Sequence, residues 1–212
     1  AFTGELTKKW REENGVSLDS WEKVALQDVC EKITCGKTPT DSISLKGDVP
    51  FLKVYNIVNN AIDFDYKPQY IPSEISESKL KSSILLPRDI VMNIVGPPLR
   101  KIAIIPDTHP MWNMNQAIVR FRPKERLISK FLYYALIYPN TLDDVIADTK
   151  GVVGQANISV TQSRKLKIAL PNILEQNEIV RILDSIFEKE QQAKELANVI
   201  AKIDLMKKAI LA

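Results

Sequence analysis

"NILEQNEIVRILDSIFEKEQQAKELANVIAKIDLMKKAIL", residues 172–211, contains neither glycine nor proline. Those are the residues that most often interrupt a helix, so the stretch predicts one long helix. With Ile179 at heptad position a, the a and d sites run Ile179, Ile182, Ile186, Lys189, Ala193, Leu196, Ile200, Ile203, Lys207 and Ile210. Eight of these ten are apolar, which sustains a seam for a partner helix rather than a chance stripe. At helical rise the segment is roughly 50–60 Å long, more than a domain of this size covers. The alternative is an amphipathic helix folded back on its own domain. The narrow seam and the strongly charged remaining positions favour a projecting helix. Lys189 and Lys207 would weaken the seam while fixing its register, or mark where something else docks.

Upstream the pattern is different. Residues 1–15 are polar, helix-compatible and closed by Asn14-Gly15, a stop signal. From "WEKVALQDVCEKITCGKTPT" (residues 21–40) onward, short apolar runs alternate with breakers. "DVPFLKVYNIV" and "AIDFDYKPQYI" read as paired strands turning at Asn59-Asn60. "SESKLKSSIL" suits a short helix, and "DIVMNIVG" and "RKIAIIP" are strand-like runs parted by Pro97-Pro98. "NQAIVRFRP" is a further strand, with Ala117, Val119 and Phe121 on one face and Ile118 and Arg120 on the other. "SKFLYYALIYPNTLDDVIA" turns helical and "RKLKIALP" makes a last strand. The expectation is an α+β fold in three parts: a helical stub over 1–15, a mixed domain over 16–171, and the long helix over 172–212.

Composition excludes several classes. The chain has 212 residues, 45% hydrophobic and 26% charged, as in ordinary globular proteins. Its apolar runs fall short of the ~18 residues of a membrane span. The polar start lacks the basic-then-apolar order of a signal peptide, and the absence of an initial methionine suggests processing or cutting. Cys30 and Cys35 are the only cysteines and His109 the only histidine, too few for a zinc site or a disulfide scaffold. Both cysteines read as small hydrophobes in a reducing cytoplasm. The net charge of +3 neither demands nor excludes nucleic acid. "RFRPKER" (120–126) and "QSRKLK" (162–167) are basic clusters, to be weighed as solvated surface or as phosphate contacts.

No catalytic constellation emerges. "GKTPT" lacks the glycine a P-loop needs five positions earlier, where Glu31 stands. "NIVGPPL" is a distant echo of the Asn-Pro-Pro-aromatic motif of amino-methyltransferases, without its order or a cofactor-binding glycine motif. Asp143, Asp144 and Asp148 fit a solvated helix face, and His109 has no nucleophile near it in the sequence. No cofactor or metal is expected.

Taken in order, the motifs resemble the specificity (S) subunits of type I restriction-modification systems. The likeness runs along nearly the whole chain. "WEKVALQDVCEKITCGKTPT" is similar to the opening of a target recognition domain in that family. "DVPFLKVYNI", "LPRDIVMNIVGPPLRKIAIIP" and "NQAIVRFRP" follow in family order. "GVVGQANISV" resembles its Gly-x-x-Gln-x-Asn-Ile-Ser stretch, and "IALPNILEQNEIVRILD" its Leu-Pro-x-x-x-Glu-Gln lead into the long helix. Two departures stand out. The family has Pro-Gly-Asp where this chain has Pro87-Arg88-Asp89, and Gly-Lys where it has Arg100-Lys101. The first suggests a turn without positive φ, and the second adds a cation at a corner facing DNA.

The resemblance implies a non-catalytic, cytoplasmic module with one target recognition domain and one conserved helix. Its partners would be double-stranded DNA, methyltransferase (M) subunits and restriction (R) subunits. In the family two such units alternate, and "KKAILA" running into "AFTGEL" looks like the join between them, so a half-subunit or a fragment is expected. A homodimer would form through antiparallel long helices. Chemistry then nominates contacts. Lys37, Thr38, Arg100, Lys101 and Lys150 suit phosphate; Asn113, Asn115, Gln116, Gln155 and Asn157 carry amides that suit base edges. Gln155 and Asn157 equally suit loop bracing, and Tyr55 and Trp112 suit a core better than base stacking. A coiled-coil dimeric regulator or adaptor, working without a methyltransferase, is the rival reading.

Overall fold

A computed structural model of the chain describes residues 1–149 and 157–211. After α1 (Lys8–Asn14), Gly15 closes the helix at φ 64, in the left-handed region that glycine adopts without strain. There follow β1 (Glu22–Ala25), α2 (Leu26–Val29), β2 (Cys30–Cys35), β3 (Val49–Leu52), β4 (Ile57–Val58), β5 (Ala61–Ile62) and β6 (Tyr70–Ile71). Next come α3 (Ser73–Glu77), β7 (Ile84–Leu85), β8 (Ile90–Asn93), β9 (Ile102–Ile104), β10 (Trp112–Met114) and β11 (Ile118–Pro123). The last elements are α4 (Ser129–Ile137), α5 (Pro139–Thr149), α6 (Val160–Lys165), β12 (Lys167–Leu170) and α7 (Ile173–Leu211). The α+β class is as expected, and the glycine- and proline-free stretch is one unbroken helix of 39 residues.

The central sheet has the order β2-β11-β8-β9, antiparallel throughout. Both of its faces are apolar. Ile90 and Met92 of β8 and Val119 and Phe121 of β11 join Phe131, Leu132 and Leu136 of α4 in the larger core. Val91, Ala103 and Ile118, on the other face, meet Leu52, Leu85 and Trp112 of a second sheet, ordered β6-β3-β10-β7. Helices, sheet and sheet therefore form three layers, and the central strands are apolar on successive residues for that reason. A two-stranded ribbon, β1 with β12, joins the entry of the domain to the entry of α7.

The Asn59-Asn60 turn is as expected: both residues have positive φ, 51 and 59, and join β4 to β5. The predicted helix in "SESKLKSSIL" lies earlier, at α3, and ends at Glu77. Only a single tight turn, Lys81–Ser83, follows before β7. The turn at Arg88 overturns its expectation. Arg88 has φ 71 and Arg100 has φ 72, so both arginines occupy left-handed positions where the family resemblance has glycine. The geometry is kept and the side chain carries the strain.

The start of α7 is held by polar groups. Asn172 caps it, its Oδ1 accepting from the Glu175 amide at 2.9 Å. Glu175 is fully buried: Thr7 and Arg11 Nη1 donate to its Oε1, both at 2.7 Å, and Trp21 Nε1 donates to Oε2 at 2.8 Å. Gln176, also fully buried, donates to the carbonyls of Arg126 and Pro171 and accepts from the Ile128 amide, all at 2.9 Å.

Candidate nucleic-acid interface

The antiparallel order of the central sheet delivers four chain segments to one of its ends. There β2 runs out into Gly36-Lys37-Thr38, and β11 is entered through Asn115-Gln116-Ala117. At the same end β8 runs out into Ile94–Pro98, and β9 is entered from Arg100-Lys101. Backbone bonds tie these segments together. Gly36 donates to the Ile118 carbonyl at 3.0 Å, Lys37 to Met114 at 3.2 Å, and Ile94 to Ala117 at 2.9 Å. Ile158 donates to Ile94 at 2.9 Å, and Asn157 bridges Val95. A Cβ at Gly36 would stand 2.1 Å from the Met114 carbonyl oxygen, so only glycine allows the first two segments this close.

This packing joins several nominated groups. Thr38 Oγ1 donates to Gln116 Oε1, and both side chains are exposed. With its oxygen engaged, the Gln116 amide keeps its NH2 to donate, as an acceptor on a base edge requires. Lys37 is exposed beside them and Asn157 is exposed two segments away. Asn115 is half-buried, and its Oδ1 is buried without a hydrogen bond among the described residues. Lys101 is half-buried with Nζ 3.4 Å from the Val54 carbonyl. Lys150 and Gln155 lie outside the described residues.

Two nominations are corrected. Asn113 is fully buried and its NH2 bonds Ser76 Oγ at 2.9 Å and the Leu80 carbonyl at 3.3 Å, so it braces the second sheet and faces no DNA. Arg100, half-buried, is engaged at the surface of its own domain, bonding the Pro139 carbonyl at 2.9 Å and pairing with Asp143, so its guanidinium is already neutralised. Trp112 is core, edge-on to Phe64 and His109, and Tyr55 is half-buried with its hydroxyl on the Lys67 carbonyl. Asn93 escaped the sequence reading. This buried amide holds the Val95 and Pro98 carbonyls at 3.3 and 2.8 Å and accepts from the Lys101 amide at 2.9 Å, shaping the whole corner. A polar residue closing an apolar strand before Gly-Pro-Pro was its signal.

The "RFRPKER" cluster is structural. Arg120, 1% exposed, bonds Ile84 and Ser82 carbonyls and Thr34, and burial lowers its pKa. Arg122 grips Asp89 with two bonds of 2.8 and 2.7 Å, which raises its pKa against the burial that lowers it. Arg126 pairs with Glu22. In "QSRKLK", Gln162 makes a capping box with Ser159 and Arg164 donates to the Ile33 carbonyl, leaving Lys165 and Lys167 exposed.

Along α7 the nominated seam divides. Ile179 is fully buried in its own domain's core, so its place in a dimer seam is corrected; Ile182 is half-buried. Ile186, Ala193, Leu196, Ile200 and Ile203 are exposed, and the Ile210 side chain lies outside the described ones. Among the described residues no group of three or more His, Cys, Asp or Glu side chains is placed to hold a metal. No helix among them is long and apolar enough to cross a membrane.

Residues 19–207 match the family of the type I restriction modification DNA specificity domain. The chain belongs to that family. It is a family of specificity domains, not of catalytic ones. A curated relative, the specificity subunit of the type I restriction enzyme EcoBI of Escherichia coli, is 23% identical over 225 residues, covering 100% of this chain and 47% of that subunit. The chain thus spans about half the length of the relative it matches. A chain from a structure concerned with complex assembly and conformational transition of the type I R-M system shares 19% identity. It superposes with a TM-score of 0.70 over 99% of this chain and 50% of its own. The HsdS subunit of Thermoanaerobacter tengcongensis, also 19% identical, gives 0.59 over 87% of this chain and 42% of its own. These likenesses establish the fold of a specificity domain with its long helix.

Proposed function

We propose that this chain is the DNA-reading specificity module of a type I restriction-modification enzyme, without catalytic activity of its own. It reads one half of a bipartite target and docks the adenine methyltransferase and restriction subunits. The observation that carries this reading is the convergence at one end of the central sheet. Lys37, Thr38, Gln116 and Asn157 come from three distant chain segments onto one exposed edge. A cation for phosphate beside amides for base edges is the pairing that positioning and readout of duplex DNA need. Lys101 extends the same edge, and Lys150 and Gln155, which lie outside the described residues, are proposed as further DNA contacts on the chemistry of their side chains alone.

Adenine N6 lies inside the duplex, so a methyltransferase flips the base to reach it. The role left to this module is to hold register meanwhile. A pair of long helices, one from each copy of the chain, would set the distance between two reading edges, in a cytoplasmic complex.

The test is reconstitution. Alone, the chain is expected to bind duplex DNA weakly, with steep salt dependence, and to transfer no methyl group from S-adenosylmethionine. From its source cells it is expected to co-purify a methyltransferase that modifies adenines flanking a split site. A chain that binds DNA as a dimer yet captures no methyltransferase is a regulator, and the proposal fails.

A further inference from the structure

We infer that Asp184, together with the buried pair Glu175–Gln176, forms a two-point bracket that aims α7 and so determines which spacing between two DNA half-sites the assembled enzyme accepts. The inference rests on the function proposed above and adds to it the residues that position the helix.

The first point is the root. Glu175 and Gln176 bind four separate stretches of chain there: Thr7 and Arg11, Trp21, Arg126 to Ile128, and Pro171. The second point lies further along. Asp184 accepts from Lys130 Nζ at 2.7 Å and from the Tyr134 hydroxyl at 2.5 Å, both donors carried by α4. Between the two points, Ile179, Val180 and Leu183 pack on the core. Apolar packing has little directionality and tolerates sliding, whereas the bonds at the two ends weaken steeply with misalignment. Every described side chain from Ile186 onward is exposed, and the one ring contact among them, Phe187 stacked on Tyr134 with centroids 5.4 Å apart, adds to the same outer point on α4.

Lever geometry makes the outer point decisive. At ~1.5 Å per residue, Asp184 is about 14 Å from Glu175, and Leu211 is about 54 Å from it. A sideways shift of about 1 Å at Asp184 then moves the far end by about 4 Å, more than the ~3.4 Å that separates successive base pairs. Loss of one bracket point is thus enough to change spacing by a base-pair step.

Two readouts test this, one of them independent of DNA. Spin labels at K79C and K202C, in a C35S chain diluted with unlabelled chains, report the angle between domain and helix. Both D184A and Y134F are expected to broaden the distance distribution, and E175Q to shift it if it folds. In the methyltransferase complex, wild type is expected to prefer one spacing at least tenfold over spacings one base pair longer or shorter. For D184A that preference is expected to fall to about twofold, with the base preference inside each half-site unchanged. A merely structural role would lower methylation at all spacings alike. An unchanged distance distribution overturns the inference whatever the DNA assay gives. So does a broadened distribution with wild-type spacing preference. A wild-type complex that ignores spacing overturns the proposed function, and the inference with it.

Discussion

Thr38 donates its hydroxyl hydrogen bond to the side-chain oxygen of Gln116, a residue 78 positions later in the chain. The bond couples the loop leaving β2 to the loop entering β11, and Lys37 stands exposed beside it. The two side chains are expected to behave differently. Gln116→Ala would cost roughly 1–3 kcal/mol on the cognate site and little on random DNA. Lys37→Ala would weaken all sequences alike and flatten the salt slope by about one charge. Competition titrations at several salt concentrations, in the methyltransferase complex, measure both. A lysine change that alters sequence preference would reverse the assignment of this edge.

Arg88 and Arg100 share a left-handed backbone, yet only one has a compensation. Arg100 pairs with Asp143 and bonds the Pro139 carbonyl, while the Arg88 side chain is exposed. A non-glycine residue in this region carries strain of about 1–2 kcal/mol, and glycine costs ~0.5–1 kcal/mol in chain entropy. Arg88→Gly is therefore expected to stabilise by up to ~1 kcal/mol. Arg100→Gly gains less, because it also gives up a surface pair worth ~0–1 kcal/mol. Urea midpoints at equal slope rank the two, and the opposite order rejects the strain account.

Cys30 is buried, which pushes its thiol up to about 12 from an ordinary 9.0. At pH 8.5 it is expected to resist alkylation in the native protein, while half-buried Cys35 reacts first. Mass spectrometry of tryptic peptides separates the two. The linkage follows in sign: above pH 9 the unfolded chain releases this proton and the folded chain keeps it until about 12. This group thus leaves stability untouched below pH 9 and lowers it progressively between 9 and 12.

Local signals in the sequence were legible where local physics decides. The absence of breakers after Asn172 yields α7, and the paired asparagines at 59 and 60 yield a turn that needs positive φ. Arg120 was not legible, because a charged residue in a strand normally marks a solvent face, and here a second sheet covers that face. Asn113 failed for the same reason: its partners, Ser76 and Leu80, lie more than thirty residues away. The proposed reading edge was legible only as a set of residue types. Its geometry depends on Gly36 pressing against Met114, a contact between segments that the sequence separates widely.

Ile179 and Ile200 occupy the same heptad position and are expected to respond in opposite ways. Ile179 is fully buried among its own domain's side chains, and Ile200 is 51% exposed. Truncating Ile179 to alanine leaves a cavity in the larger core, at a cost of about 2–5 kcal/mol in unfolding experiments. Self-association would survive it, because the side chain has no surface to offer a partner. Ile200→Asp leaves the domain untouched and places a charge in the seam that Leu196 and Ile203, both exposed, would form with a second chain. Sedimentation at tens of micromolar is expected to show dimers for wild type and Ile179→Ala, and monomers for Ile200→Asp. Dimers that persist in Ile200→Asp would mean that the chains meet elsewhere, and a monomeric wild type would mean that α7 alone does not bring two reading edges together.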